Sequence, residues 1–275
     1  MKATVIVDNI ENDSLQGEWG LCIYIEYEDK KVLLDAGASE LFASNADKLN
    51  ISLEDIDYGV LSHAHYDHAN GMCHFFEIND TAKFYIRDAC AENCYSQKPY
   101  FKKYIGMPKG ILEKYKDRIE MVSGDYTIAE GISLIPHKTK GLDAVGRREK
   151  MYRKVKKGWI RYNWVFDDFS HEQSLVFDTP KGLVIFNSCS HGGPDNIITE
   201  VLATFPEKEI CAYVGGLHLY KSSEKEVREL ADRIKETGIT KIITGHCTGD
   251  EAFAILKEEL DDIIEQMYTG MEIEL

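Results

Sequence analysis

The chain has 275 residues, 44% apolar and 29% charged, enough to bury a substantial core without disulfide or zinc staples and too apolar for a disordered tail. Its net charge of −15 argues against a general binder of nucleic acid or anionic membrane, and no apolar run approaches the ~20 residues of a membrane span. Seven cysteines, none in a CxxC pair, fit buried or ligand-type thiols in a reducing compartment better than a disulfide framework. Asp8 interrupts the first apolar run before a signal-peptide core of ~7–15 residues forms, so a cytoplasmic location is expected. Six prolines and no break in composition suggest one domain over 1–275.

Thr4–Val7, Leu21–Tyr27 and Lys31–Leu34 read as strands rich in Val, Ile, Leu and Tyr. Ser39–Leu49 reads as a helix with Ser39 as its N-cap. Tyr58–Leu61 is a short buried strand, and Met121–Leu134 is a set of strands broken at Gly124-Asp125 and Glu130-Gly131. Ser174–Phe177 and Leu183–Phe186 form a hairpin across Thr179–Gly182. Further on, Pro194–Phe205 is helical and Ala212–Val214 is a strand. Ser223 and Glu226 have capping-box spacing for a helix ending at Gly238. Lys241–Thr244 is a strand, and Thr248 with Glu251 repeats the capping box before a helix to about Leu260. Strands dominate early and alternate with helices late, which fits a layered α/β fold with large mixed sheets.

Four of the apolar strands run into a histidine: His63, His191, His218 and His246. Another runs into Asp35. Functional crevices of α/β sheets lie at strand ends, so these side chains can converge from distant segments. The first of them opens His63-Ala64-His65-Tyr66-Asp67-His68. His63 and His65 share one face of an extended segment, and Asp67 and His68 follow in a tight turn. Three imidazoles and a carboxylate within six residues suit zinc, iron or manganese. Two ions are expected, because Asp67 and His68 do not easily reach the ion that His63 and His65 face.

An HxHxDH motif after a short apolar strand is similar to the signature of the metallo-β-lactamase superfamily of hydrolases, and the resemblance runs over nearly the whole chain. The stretches Val32–Gly37, Ser62–Gly71, Cys189–Gly193, Gly215–Leu219 and His246–Gly249 resemble one branch, which includes a pterin-pathway synthase. The resemblance implies a four-layer αββα sandwich with mixed β-sheets and a binuclear site at one edge. It implies one divalent ion on His63, His65 and His191 and another on Asp67, His68 and His246, zinc before iron or manganese. Asp35 would orient a ligand histidine. His171 or Cys189 could instead replace or join His191. Two metals would yield hydroxide near neutral pH, with Asp67 as ligand and proton acceptor and His218 as proton donor or phosphate contact. His218 reads equally well as a satisfied strand-end residue.

The implied activity is hydrolysis of a small anionic, phosphoester-like metabolite. The alternatives are a synthase joining a dihydropterin to an aromatic amine ribosyl phosphate, and a non-catalytic metal or ligand sensor. Between His137 and Arg161 ten bases face two acids, a local charge of +8 that leaves −23 for the rest. With Trp159, Tyr162, Trp164, Phe166 and Phe169, this basic and aromatic insertion at about 137–169 suits a phosphorylated, flat-ringed substrate. Arg147, Arg148 and Arg153 are its candidate substrate contacts. Tyr95–Arg118, with Lys98 and Lys103, is a second candidate. Both segments also fit solvated helices or a homo-oligomer surface. The N–H groups at Gly192-Gly193-Pro194 offer an anion cradle. Cys90 and Cys94, one helical turn apart, and Cys247 read as packing, Cys189 as a small buried residue before a soft ligand, His74 as structural, and His137 as either structural or functional.

Overall fold

A computed structural model describes residues 1–12, 14–158 and 161–275. Two seven-stranded mixed sheets face each other. The first runs Glu272–Glu274, Lys2–Val7, Cys22–Tyr27, Lys30–Leu34, Tyr58–Val60, Lys83–Arg87 and Ile119–Val122 in spatial order. The second runs Ile264–Gln266, Ile242–Thr244, Ile210–Val214, Gly182–Phe186, Gln173–Thr179, Ile132–Pro136 and Tyr126–Ala129.

Strand periodicity builds the layers. Val5, Ile23, Ile25, Val32 and Leu34 point between the sheets, against Leu134, Leu175, Phe177, Val184, Phe186 and Val214. The alternating residues Ile6, Tyr24 and Leu33 point outward, onto Phe42 and Ala46 of helix Leu41–Lys48 and Met72, Phe75 and Phe76 of helix Met72–Ile78. On the other side Ile185, Tyr213 and Ile242 pack on Ile198, Val227, Leu230 and Leu256 from helices Pro194–Thr204, Glu224–Glu236 and Asp250–Leu260. The result is the four-layer αββα sandwich. A buried side chain such as Phe42 or Leu33 contributes roughly 1.5–3 kcal/mol, so each layer is held by many such contacts.

A third sheet, Arg161–Phe166, Met151–Lys157, Cys94–Gln97 and Lys102–Tyr104 in that order, joins the basic insertion to the second basic candidate. The charge runs therefore lie largely on strands, with Arg147 and Arg148 on the short helix Asp143–Glu149. Trp159 lies outside the described residues. Cys94 opens a strand and Cys90 precedes it in a turn, so the two do not share a helix, although both are buried. The first helix begins at Leu41 with Glu40 at its cap, because the Ser39 hydroxyl closes a local turn by accepting from Leu41 N at 3.1 Å. Ser223 and Glu226 form the expected capping box. Thr248 forms none: its hydroxyl accepts from Leu217 N and pairs with Thr244, and Gly249 caps the last long helix. No described helix is long and apolar enough to cross a membrane.

Strands Lys30–Leu34, Tyr58–Val60 and Lys83–Arg87 are parallel, as are Gly182–Phe186, Ile210–Val214 and Ile242–Thr244. Their C-terminal ends deliver Asp35, His63, His191, His218 and His246 to one edge of the sandwich.

Candidate metal centre

Five imidazoles crowd that edge. The His63 ring centroid lies 4.5 Å from His65, 4.2 Å from His68 and 5.0 Å from His191, and His65 is 5.0 Å from His191. His246 lies 4.9 Å from His68 on the far side. Asp67 Oδ2 lies 3.9 Å from His68 Nε2 and 3.8 Å from His246 Nε2. The six side chains thus form one continuous cluster, with His63 nearer to His68 than to His65 or His191, and His65 lies also beside Cys94, Asp167 and His171.

The loops that present these groups are strained. Asp35, Ser190, His218 and His246 all hold positive φ, between 48° and 60°, a region costly for residues other than glycine and concentrated at functional sites. Side chains behind them fix the ring tautomers. Asp35, fully buried, takes His68 Nδ1 at 2.7 Å and accepts from Ser62 N and Oγ at 2.7 Å each. Ser62 Oγ meets His63 Nδ1 at 2.9 Å, and Asn9 Oδ1 meets His246 Nδ1 at 3.0 Å. Nδ1 is engaged in each case, so Nε2 faces the centre.

His63 Nε2, His65 Nε2, His246 Nε2 and both His191 nitrogens are buried with no hydrogen-bond partner among the described residues. Each such orphan costs about 1–3 kcal/mol, which a cation would offset. Burial, aided by neighbouring imidazoles, pulls His63 and His191 well below the ordinary histidine value and His65 and His246 down to about 3. These rings are neutral, the form that binds metal. Asp35 and Asp67 outweigh burial at His68 and raise it to about 9. The donor set of neutral imidazoles, a carboxylate and a thiol fits a borderline divalent ion.

Cys189 sits deeper in the centre than a packing residue would. Its Sγ is 3.3 Å from His68 Nε2, and it lies within 4.8 Å of both His63 with His191 and His68 with His246. His171 stands one step back. Its Nδ1 accepts from Ala64 N at 3.2 Å, and its Nε2 meets Asp167 at 3.2 Å and Cys94 Sγ at 3.7 Å. Both nitrogens are engaged, so it braces the motif backbone.

Two sequence expectations need correction, and His137 falls on the structural side of its two readings. The cradle at Gly192 is already filled: buried Glu172 accepts from His191 N at 3.1 Å and Gly192 N at 3.4 Å. The same carboxylate contacts His137, which also meets Glu200 at 3.2 Å, so His137 belongs to a structural ion network. Of the three arginines, Arg147 and Arg153 line neither cavity beside the histidines, whereas Arg148 lines a second one, of about 570 Å³, with His191 and His218. Arg153 is tied to Asp168 at 3.0 Å and Ser170 at 2.6 Å, Arg147 lies over the Phe166 ring, and Arg148 pairs with Glu149.

The cavity over the histidines, about 360 Å³, is lined instead by Lys98, Lys103 and Lys221 with Trp19, Tyr66 and Tyr220. His218 also lines it, 3.8 Å from Glu149. Trp19 Nε1 donates to Asp67 Oδ2 at 2.9 Å. Sequence reasoning missed Trp19, Asn9, Glu172 and Lys221. Asn9 alone gave a weak signal, as a polar residue just past a strand end. A shallower depression of about 1310 Å³ around Leu41 and His74 is remote from the histidines.

The HxHxDH loop, its strand-end partners and the sandwich agree with the family match: residues 20–148 fit the metallo-beta-lactamase superfamily. Over its whole length the chain resembles this superfamily. It is 28% identical to the 7,8-dihydropterin-6-methyl-4-(beta-D-ribofuranosyl)-aminobenzene-5'-phosphate synthase of Methanocaldococcus jannaschii, over 94% of this chain and 90% of that protein. A solved metal-dependent hydrolase of the beta-lactamase superfamily superposes with a TM-score of 0.83 at 27% identity, covering 100% of this chain and 99% of the other. A diphosphatase from the PhnP family, at 13% identity with a TM-score of 0.55, covering 100% and 97%, shares the superfamily fold.

Proposed function

We propose that the chain is a metal-dependent hydrolase of a small phosphorylated metabolite with a flat ring. The observation that carries this reading is the set of orphaned buried imidazole nitrogens beside Asp67, at the floor of a cavity rimmed by lysines and aromatic rings. His63, His65 and His191 would hold one divalent ion, zinc before iron or manganese, and Asp67, His68 and His246 another, with Cys189 between them. Such ions supply Lewis acidity, acidifying a water and polarising a phosphoryl oxygen. The protein's own groups do the rest. Asp67, held by Trp19, is placed to take a proton at Oδ2. Lys98, Lys103 and Lys221 neutralise the phosphate, and Trp19, Tyr66 and Tyr220 offer faces for a ring. The +8 insertion contributes Met151 and Glu149 to this cavity and Arg148 to its neighbour.

The test is elemental analysis of anaerobically purified protein, then a phosphoester panel with the recovered metal restored. Asp67→Ala should lose activity. Protein purified without chelator that carries no stoichiometric transition metal overturns the reading.

A second reading, the synthase, is favoured by one further feature. The cavity of about 570 Å³ shares His191 and His218 with the first, so the centre has room for reactants on two sides. The relative's name supports the same reading. Anaerobic incubation with a dihydropterin diphosphate ester and an aryl amine ribosyl phosphate separates the two: a joined product supports the synthase, and products of water attack alone support the hydrolase.

A further inference from the structure

Cys189 belongs to three groups of ligand-type atoms. Two make the centre above. The third comprises Cys189, His218 and Cys247, whose two Sγ atoms and one imidazole nitrogen all lie within 4.8 Å of one another. They arrive from three different strand ends, after Gly182–Phe186, Ile210–Val214 and Ile242–Thr244.

Ordinary packing does not account for this group. Both nitrogens of His218 lack a hydrogen-bond partner among the described residues, although its side chain is only 8% exposed. Its φ of 53° is left-handed, so the backbone bears strain to present that ring. Space is kept for the Cys247 thiol by Gly216, where any Cβ would meet Cys247 Sγ at 2.5 Å. Cys247 Sγ itself lies 3.7 Å from Cys189 O. All three side chains line the 360 Å³ cavity, as does Glu149.

We propose that Cys189, His218 and Cys247 form a third metal site, selective for a thiophilic divalent cation of the zinc class. Two thiolates and one imidazole with a remaining position toward a cavity is a competent zinc donor set. Cys189 bridges this site to the centre. Binding displaces the thiol protons to solvent. His218 then serves as a ligand rather than as the proton donor expected from its strand-end position. The site goes beyond the binuclear reading, and Cys247 and His218 test it independently.

The probe is Co²⁺, titrated anaerobically into the stripped, reduced full chain. About three equivalents should bind, with thiolate-to-cobalt absorption in the near ultraviolet. Cys247→Ser and His218→Ala should each lose one equivalent and weaken that band, whereas Cys211→Ser, at a half-buried thiol away from the group, should change neither. A Cys247→Ser protein that binds as much cobalt as the wild type, with an unchanged band, overturns the site. If the variants do not fold, alkylation of wild-type Cys247 decides. Protection gained with the last equivalent supports the site, and unchanged reactivity across the whole titration overturns it. His246→Ala keeps the two readings apart. Loss of cobalt there but not in Cys247→Ser removes only the third site, and the reverse removes only the binuclear reading.

Discussion

Asparagine at position 35 is the sharpest probe of the centre. Asp35 is fully buried and receives three contacts of 2.7 Å, from Ser62 N, Ser62 Oγ and His68 Nδ1. Asparagine tolerates its φ of 60° and matches its volume, so strain and cavity terms drop out. What changes is hydrogen-bond polarity. If the new carbonyl keeps Ser62 N, the amide NH₂ faces His68 Nδ1, two donors in opposition. Without metal the His68 imidazolium loses its carboxylate partner; metal binding at Nε2 needs the remaining proton on Nδ1, where it now meets a donor. A charge-assisted hydrogen bond is worth about 1.5–3 kcal/mol, and breaking a buried ion pair about 3–5 kcal/mol. The metal-free protein should lose about 3 kcal/mol in urea unfolding. Metal affinity should fall about 10–100-fold in calorimetric titration. A stability change under about 0.5 kcal/mol together with unchanged metal affinity refutes the assignment of Asp35 as the orienting acceptor.

Against burial, Glu172 and Glu200 hold the His137 imidazolium and raise it to about 9. A raised histidine contributes its full stability below the unfolded value near ~6.5 and loses it as pH climbs through the folded value. Stability in urea should therefore fall between about pH 6.5 and 9, with His137 contributing on the order of 3 kcal/mol, and His137→Gln should remove that share of the fall. Gly71→Ala would place a Cβ 2.0 Å from Ala36 O and 2.8 Å from the Phe42 ring, and thermal melts should show a loss of about 3 kcal/mol or more. Lys103→Ala should raise KM for a phosphorylated substrate about tenfold, the value of one charge-assisted contact, and leave a neutral ester unaffected. Arg153→Ala, already paired with Asp168 and Ser170, should leave both KM values alone; a rise for the phosphorylated substrate returns that arginine to the site.

Much of the sandwich was legible because alternation in the strands carries the layer assignment directly: Val5 and Ile6 point to opposite cores. The strand-end histidines were legible for a related reason, since parallel strands deliver their C-terminal residues to one edge. Pairings between distant loops were not. Nothing local marks Trp19 as the donor to Asp67, or Glu172 as the acceptor that consumes the Gly192 N–H. Thr248 shows how tertiary contacts override a local motif, since Leu217 N and Thr244 claim the hydroxyl that a capping box would use. Cys189 was undervalued because cysteines are often merely buried, and only the geometry brings its sulfur to 3.3 Å from His68.

The charge distribution carries the same lesson into function. A +8 insertion beside a metal motif suggests an electrostatic lure, but register divides its residues between two faces. Met151 pairs with Ser96, which pairs with Lys103, and all three line the cavity. On the other face Lys102 lies 4.2 Å from the centre of the Tyr152 ring, and Lys154 4.6 Å from that of Tyr162. Such exposed cation–π contacts are worth about 0.5–1 kcal/mol each and hold those charges on the outer surface. At physiological salt the Debye length is about 8 Å, so charge on the outer face is largely screened from the centre. The cations on the cavity wall are Lys98, Lys103 and Lys221, none of which lies in the +8 segment, and they act beside the carboxylates Asp35, Asp67 and Glu149. The insertion acts on the site by adding strands to the sheet that carries Lys103 and through the Glu149 and Met151 side chains on the cavity wall.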